Sequence, residues 1–131
     1  MGLDMYLEGE KWLMTDYENP KKNKKEDGFP LRTKTLELGY WRKHPDLHGF
    51  IVTTFADGVD ECQRIHLGLD NLNTILSAIE GDALPHTEGF FFGTSRPEYC
   101  KESIKIIKNA IKWLSTKQDN VHKTVYYHAS W

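Results

Sequence analysis

Between Cys100 and Leu114 apolar side chains recur once per helical turn, while lysines hold the opposite side. Cys100, Ile104, Ile107, Ile111 and Leu114 make one stripe, widened by Ile106, Ala110 and Trp113. Lys101, Lys105, Lys108 and Lys112 line the other flank. A helix with a single apolar side must lay it against a second layer. Ser95, Pro97 and Glu98 just ahead have the form of a capping box with proline in the first turn, so the helix is expected to open there. It is expected to stop near Gln118–Asn120.

Both ends of the chain supply material for that second layer. Leu3, Met5 and Leu7 alternate with Asp4, Tyr6 and Glu8 in a strand expected to run on through Trp12 to Met14, and Val125, Tyr127, Ala129 and Trp131 alternate with Tyr126, His128 and Ser130. Period-two patterning of this kind marks a half-buried strand. Thr33 to Tyr40 reads as a further strand ending at Gly39, and Cys62 to Leu67 as another, broken by Gly68. Phe90 to Phe92, between Gly89 and Gly93, reads as a short fifth. Leu72, Ile75, Leu76 and Ile79 predict a helix over 69–80 with Gly81 as its cap. Pro45 opens a third helix, with Asp46 in its first turn and Leu47, Phe50, Ile51 and Thr54 at helical spacing. About five strands and three helices interleave. The expected fold is α+β: one two-layer domain over 1–131, a mixed and mainly antiparallel sheet with its terminal strands adjacent and helices on one face.

One segment has no period. From Tyr17 to Leu31 the chain carries Lys21, Lys22, Lys24 and Lys25 among Pro, Gly, Asn and Asp, and is expected to be a solvated loop (17–31) with lysines that could meet phosphates.

The chain has 131 residues and a formal net charge of -2, which argues against a general nucleic-acid binder and leaves little electrostatic barrier to self-association; a homo-oligomer is expected. Its two cysteines, Cys62 and Cys100, make neither a zinc motif nor a disulfide framework. The six histidines are scattered; His44 and His48 are four apart but no third ligand follows, so no metal is expected. Neither a cofactor motif nor a Gly-x-Ser-x-Gly elbow is present. With no spanning apolar stretch and no signal-peptide pattern at the start, a soluble intracellular protein is expected.

Three constellations remain as candidates. The first lies in Gly39–Phe50, where Tyr40, Trp41, Arg42, Lys43 and His44 precede Pro45, and His48 follows. A guanidinium beside an ammonium, between a strand end and a helix start, can hold a phosphate by bidentate hydrogen bonds and charge. Tyr40 or Trp41 would stack on a base. The second joins the outward rows of the terminal strands: Asp4 and Tyr6 with Tyr126, His128 and Ser130. These would share one polar face if the strands pair. The third is Gly89–Gly93, where one ring, Phe91, could be offered to a base while its neighbours pack. An acid–base phosphodiesterase or nuclease using His48 and His128, with Arg42 on the developing charge, is an enzymatic alternative.

Four landmarks in order, Met1-Gly-Leu-Asp-Met-Tyr-Leu7, Gly39-Tyr-Trp-Arg-Lys43 with His48, Gly89-Phe-Phe-Phe-Gly93 and Tyr126-Tyr-His-Ala-Ser-Trp131, span nearly the whole chain. In these the sequence resembles a family of short, functionally uncharacterised bacteriophage proteins. The resemblance implies a phage origin and the cytoplasm of an infected bacterium, and no particular reaction. The chain departs from the pattern at Pro45 and His128, where Asn and Gln are expected, so nothing is carried over at those positions. Together with the cation–aromatic stretch, the resemblance sets the functional expectation: a small ligand-binding protein that sequesters a host nucleotide or nucleotide-derived defence signal. A protein-partner-binding inhibitor of a host or phage enzyme is the other class.

Overall fold

The computed structural model describes residues 2–86 and 99–131. Its elements follow the order β1 (Asp4–Leu13), β2 (Lys25–Glu26), β3 (Phe29–Pro30), β4 (Thr33–Arg42), α1 (Pro45–Phe55), β5 (Ile65–His66), α2 (Leu69–Glu80), α3 (Tyr99–Ser115) and β6 (Val121–Ser130). The fold is α+β, a single domain with three helices, a four-stranded sheet in the order β4-β1-β6-β5 and a separate hairpin β2-β3. Every described strand pair is antiparallel, in keeping with the mainly antiparallel sheet expected. The terminal strands do pair: β1 and β6 run side by side from Asp4↔Ser130 to Leu13↔Val121.

The alternation read in the sequence decides what is buried. Leu3, Met5 and Leu7 from the start of the chain meet Val125, Tyr127 and Ala129 from its end in one core. Leu47, Ile51, Leu72, Ile75, Ile107 and Ala110 from the helices close that core from one side. Two glycines let the sheet and α3 approach. A Cβ on Gly39 would stand 2.3 Å from Ile106 Cγ2, and one on Gly9 would stand 2.8 Å from the Trp113 ring. Neither position has room for a side chain.

Gly39 therefore does not end its strand. β4 runs on to Arg42, and between the pairs Leu7↔Gly39 and Glu8↔Glu37 it carries one surplus residue, Leu38. Such a bulge reverses the side on which the following side chains fall. Tyr40 and Arg42 consequently point away from the helices, and Trp41 points into the core.

Two further expectations change. The strand over Cys62–Leu67 shrinks to Ile65–His66. Cys62 takes a left-handed φ of 58°, and Gln63 bonds Val59 O and the Glu61 N–H, local contacts that compete with a ladder. The 17–31 segment holds a 3-10 turn at Pro20–Lys22 and the hairpin β2-β3. Its turn is Asp27-Gly28, both at positive φ (51° and 82°), the pair that a tight hairpin requires. The expected Phe90–Phe92 strand and the Ser95–Glu98 cap lie outside the described residues. α2 and α1 span the predicted segments. Among the described residues no helix is long and apolar enough to cross a membrane.

Candidate functional site

Pairing of β1, β4 and β6 builds a row of rings on the sheet face opposite the helices. Tyr6 stands opposite both Tyr40 and His128. The Tyr6 and His128 rings stack at 4.9 Å with 20° between planes, and Tyr40 leans on Tyr6 at 5.4 Å and 52°. Tyr40 is 43% exposed, so the row opens to solvent at the β4 end.

Carboxylates fix the row. Tyr40 Oη donates to Asp4 Oδ1 at 2.5 Å, and His128 Nε2–H donates to Glu8 Oε1. The bond to Asp4, then partial burial and the charge of Asp4, raise the Tyr40 hydroxyl above the ordinary tyrosine value; nearby Arg42 opposes this. Arg42 stands two pairs beyond Tyr40, opposite Asp4. On the β6 side Arg64 Nη2 donates to Glu10 Oε2 at 2.8 Å, and its guanidinium lies 4.1 Å from the centre of the Tyr126 ring. His66 meets Tyr126 edge-on at 5.5 Å. Held between carboxylate acceptors and flanked by guanidinium groups, such a platform can receive a flat heteroaromatic ring with amine donors on its edge.

Comparison with protein-family models, with curated proteins and with solved structures finds no match to this chain. The site is therefore read from its own geometry.

That geometry brings together six of the residues singled out in the sequence, Asp4, Tyr6, Tyr40, Arg42, Tyr126 and His128, on one sheet face. Others are sorted elsewhere. Trp41 is 2% exposed, and its indole N–H donates to Ser103 Oγ at 2.8 Å inside the core. It shares no hollow with Arg42, because adjacent strand residues point to opposite faces. Trp41 is thus a packing residue, and the joint Trp41–Arg42 pocket does not form. Lys43, at a left-handed φ of 56°, ends β4, its N–H on Leu3 O at 2.8 Å. His44 is buried, and burial lowers its pKa against the pull of Asp46. The ends of the Arg42 and Lys43 side chains both lie beside Gly2, whereas His48 turns its ring nitrogens to Tyr127 and Asp60. Phe91 lies outside the described residues.

His48 belongs to the interior. Tyr127 Oη donates to its Nδ1 at 2.5 Å, and its Nε2–H donates to Asp60 Oδ2 at 2.9 Å, with the Trp131 ring edge-on at 5.8 Å. Burial, then the charge of Asp60, pushes the Tyr127 hydroxyl well above the ordinary tyrosine value. His48 contacts the inner face of β6 through Tyr127, while His128 projects from the outer face to Glu8. The two histidines therefore stand on opposite sides of the sheet, and a joint acid–base site of His48 and His128 is excluded by this arrangement. Among the described residues no three His, Cys, Asp or Glu side chains gather as metal ligands.

Sequence reasoning passed over Glu8, Glu10, Asp60 and Ser103. Glu8 was within reach, as the next step of the outward row after Asp4 and Tyr6. Asp60 and Ser103 lie in a turn and on a helix flank, where no periodicity marks them.

Proposed function

We propose that the protein binds a nucleotide or nucleotide-like small molecule on the outer sheet face, sequestering it without chemistry. The observation that carries this reading is the continuous row Tyr40–Tyr6–His128, with ring centres 5.4 and 4.9 Å apart, on the face that the helices leave to solvent. A base stacks on Tyr40 and Tyr6; its exocyclic amines donate to Asp4 or Glu8; the phosphate lies toward Arg42. Stacking of a base on an aromatic side chain contributes about 1–3 kcal/mol, so loss of that contact should weaken binding about 5- to 150-fold. The phage resemblance agrees with a role as a sponge for a host signal, since stoichiometric capture requires no catalytic group.

A panel of linear and cyclic nucleotides in a thermal-shift assay tests this. A ligand at a hundred times its Kd stabilises the fold by about 2.7 kcal/mol, a rise of several degrees in Tm. Tyr6→Ala and Arg42→Ala should each remove most of the shift. A flat panel removes the nucleotide reading.

One observation favours a second reading, docking of a protein partner. Trp12 lies on the same face, 45% exposed, and holds only a long 3.4 Å bond to Thr124 Oγ1. Aromatic residues in such a position are common anchors of protein interfaces. Size-exclusion chromatography with and without Trp12→Ala separates the two readings.

A further inference from the structure

The lysine-rich segment does more than surround the sheet with charge. Its folded form shapes a half-open cavity of about 260 Å³ between the 15–32 arm and the turn that leads into β6. Leu13, Leu31 and Val121 supply apolar wall, and Lys22, Lys24 and Arg32 supply cations. Asp16 and Asp119 are the acids on its rim.

The arm is held in place mainly by backbone and amide bonds, with Arg32 the one of the three cations that joins them. Asn23 pairs with the backbone of Asp16 through both ends of its amide, at 2.8 and 3.1 Å. Arg32 O accepts from the Leu13 N–H, and Asn120 O accepts from the Met14 N–H, so arm and turn are both stitched to β1. Asp16 Oδ1 accepts the N–H groups of Glu18 and Asn19 at 3.0 and 2.9 Å, which commits that carboxylate to the backbone. Arg32 spends one nitrogen on Thr15 Oγ1 at 2.5 Å, leaving the rest of a five-donor fork for another acceptor. One carboxylate oxygen is therefore committed, and the lining sets three cations against two acids beside the apolar wall.

We infer that this cavity is a second binding site, for a small organic anion with an apolar body: a single ring or short chain bearing a carboxylate or phosphate, anchored by Lys22, Lys24 and Arg32. Its volume lies just below the range of drug-sized pockets, which limits the occupant to one such ring. This inference is independent of the sheet-face reading, because the residues that line the cavity include none of the ring row.

Phenyl phosphate is the probe, followed through backbone amide chemical shifts of the full chain. Saturable shifts are expected at Leu13, Thr15, Arg32, Asn120 and Val121. Binding should weaken tenfold or more in Lys24→Ala, recover in Lys24→Arg, and weaken as much for benzyl alcohol (ring without charge) and inorganic phosphate (charge without ring). Overturning results are an absence of saturable shifts at these amides, shifts confined to Tyr6, Tyr40 and His128, or shifts that Lys24→Ala leaves unchanged. Inorganic phosphate matching phenyl phosphate would equally overturn it, since that is surface charge alone.

Discussion

The indole N–H of Trp41 donates to the hydroxyl of Ser103 at 2.8 Å, a polar contact sealed between β4 and α3. Ser103 is fully buried, so this bond is how a large ring with one donor can be placed in the core. Ser103→Ala strips the indole of its acceptor and should cost about 1–3 kcal/mol. Urea unfolding should show the loss as a lower midpoint with an unchanged slope. Ligand binding on the outer face should be unaffected per folded molecule.

Gly39 allows a close approach that no other residue permits. Gly39→Ala drives a methyl group toward Ile106 and should destabilise by about 1–3 kcal/mol through overpacking. Combined with Ile106→Ala, the same change should cost markedly less than it does alone. A double-mutant cycle by denaturant melts gives this coupling directly, and strict additivity would contradict the contact.

The chain Asp60–His48–Tyr127, buried at its histidine and tyrosine, ties a turn, a helix and the inner strand β6 together. Tyr127→Phe removes the hydroxyl bonded to the His48 ring and should cost about 1–3 kcal/mol. Tyr126→Phe, one residue away on the solvent side, should lie within about 0.5 kcal/mol of the parent. Thermal melts of the pair compare the two faces of one strand.

Acidification should weaken the fold partly through His44. Burial holds its imidazole neutral and lowers its pKa in the folded chain, so the unfolded chain binds the proton more readily. Its contribution is complete above about pH 6.5, the ordinary histidine value, and declines as pH falls from there toward the folded value. Asp46 moderates the effect. Stability measured from pH 8 to pH 5 should fall less steeply in His44→Met than in the parent, and parallel curves would show that His44 is not a source of the slope.

Where the pattern in the residues is long and regular, the sequence was a sufficient guide. Leu3, Met5 and Leu7 and their counterparts Val125, Tyr127 and Ala129 announce two strands with one buried side, and their pairing follows. From that pairing came the Tyr6–His128 face. The stripe of α3 is equally plain, with Ile107 and Ala110 fully buried as expected. What could not be read was set by single residues without a period. Leu38 reverses β4, so Trp41 went inward while Tyr40 and Arg42 went outward. Asp27-Gly28 makes a hairpin within a segment taken as a loop. Side-chain pairs between distant elements, such as Trp41 with Ser103 or His48 with Asp60, depend on packing angles that local spacing does not encode.

The surplus residue in β4 gives the domain an unusual genetic tolerance. Losing the codon for Leu38 would bring Glu37 and Gly39 together opposite Glu8 and Leu7, their present partners, so the indole would stay inside and the hydroxylated ring and the guanidinium outside. A deletion of that size, which would turn an ordinary strand inside out, would here only straighten one.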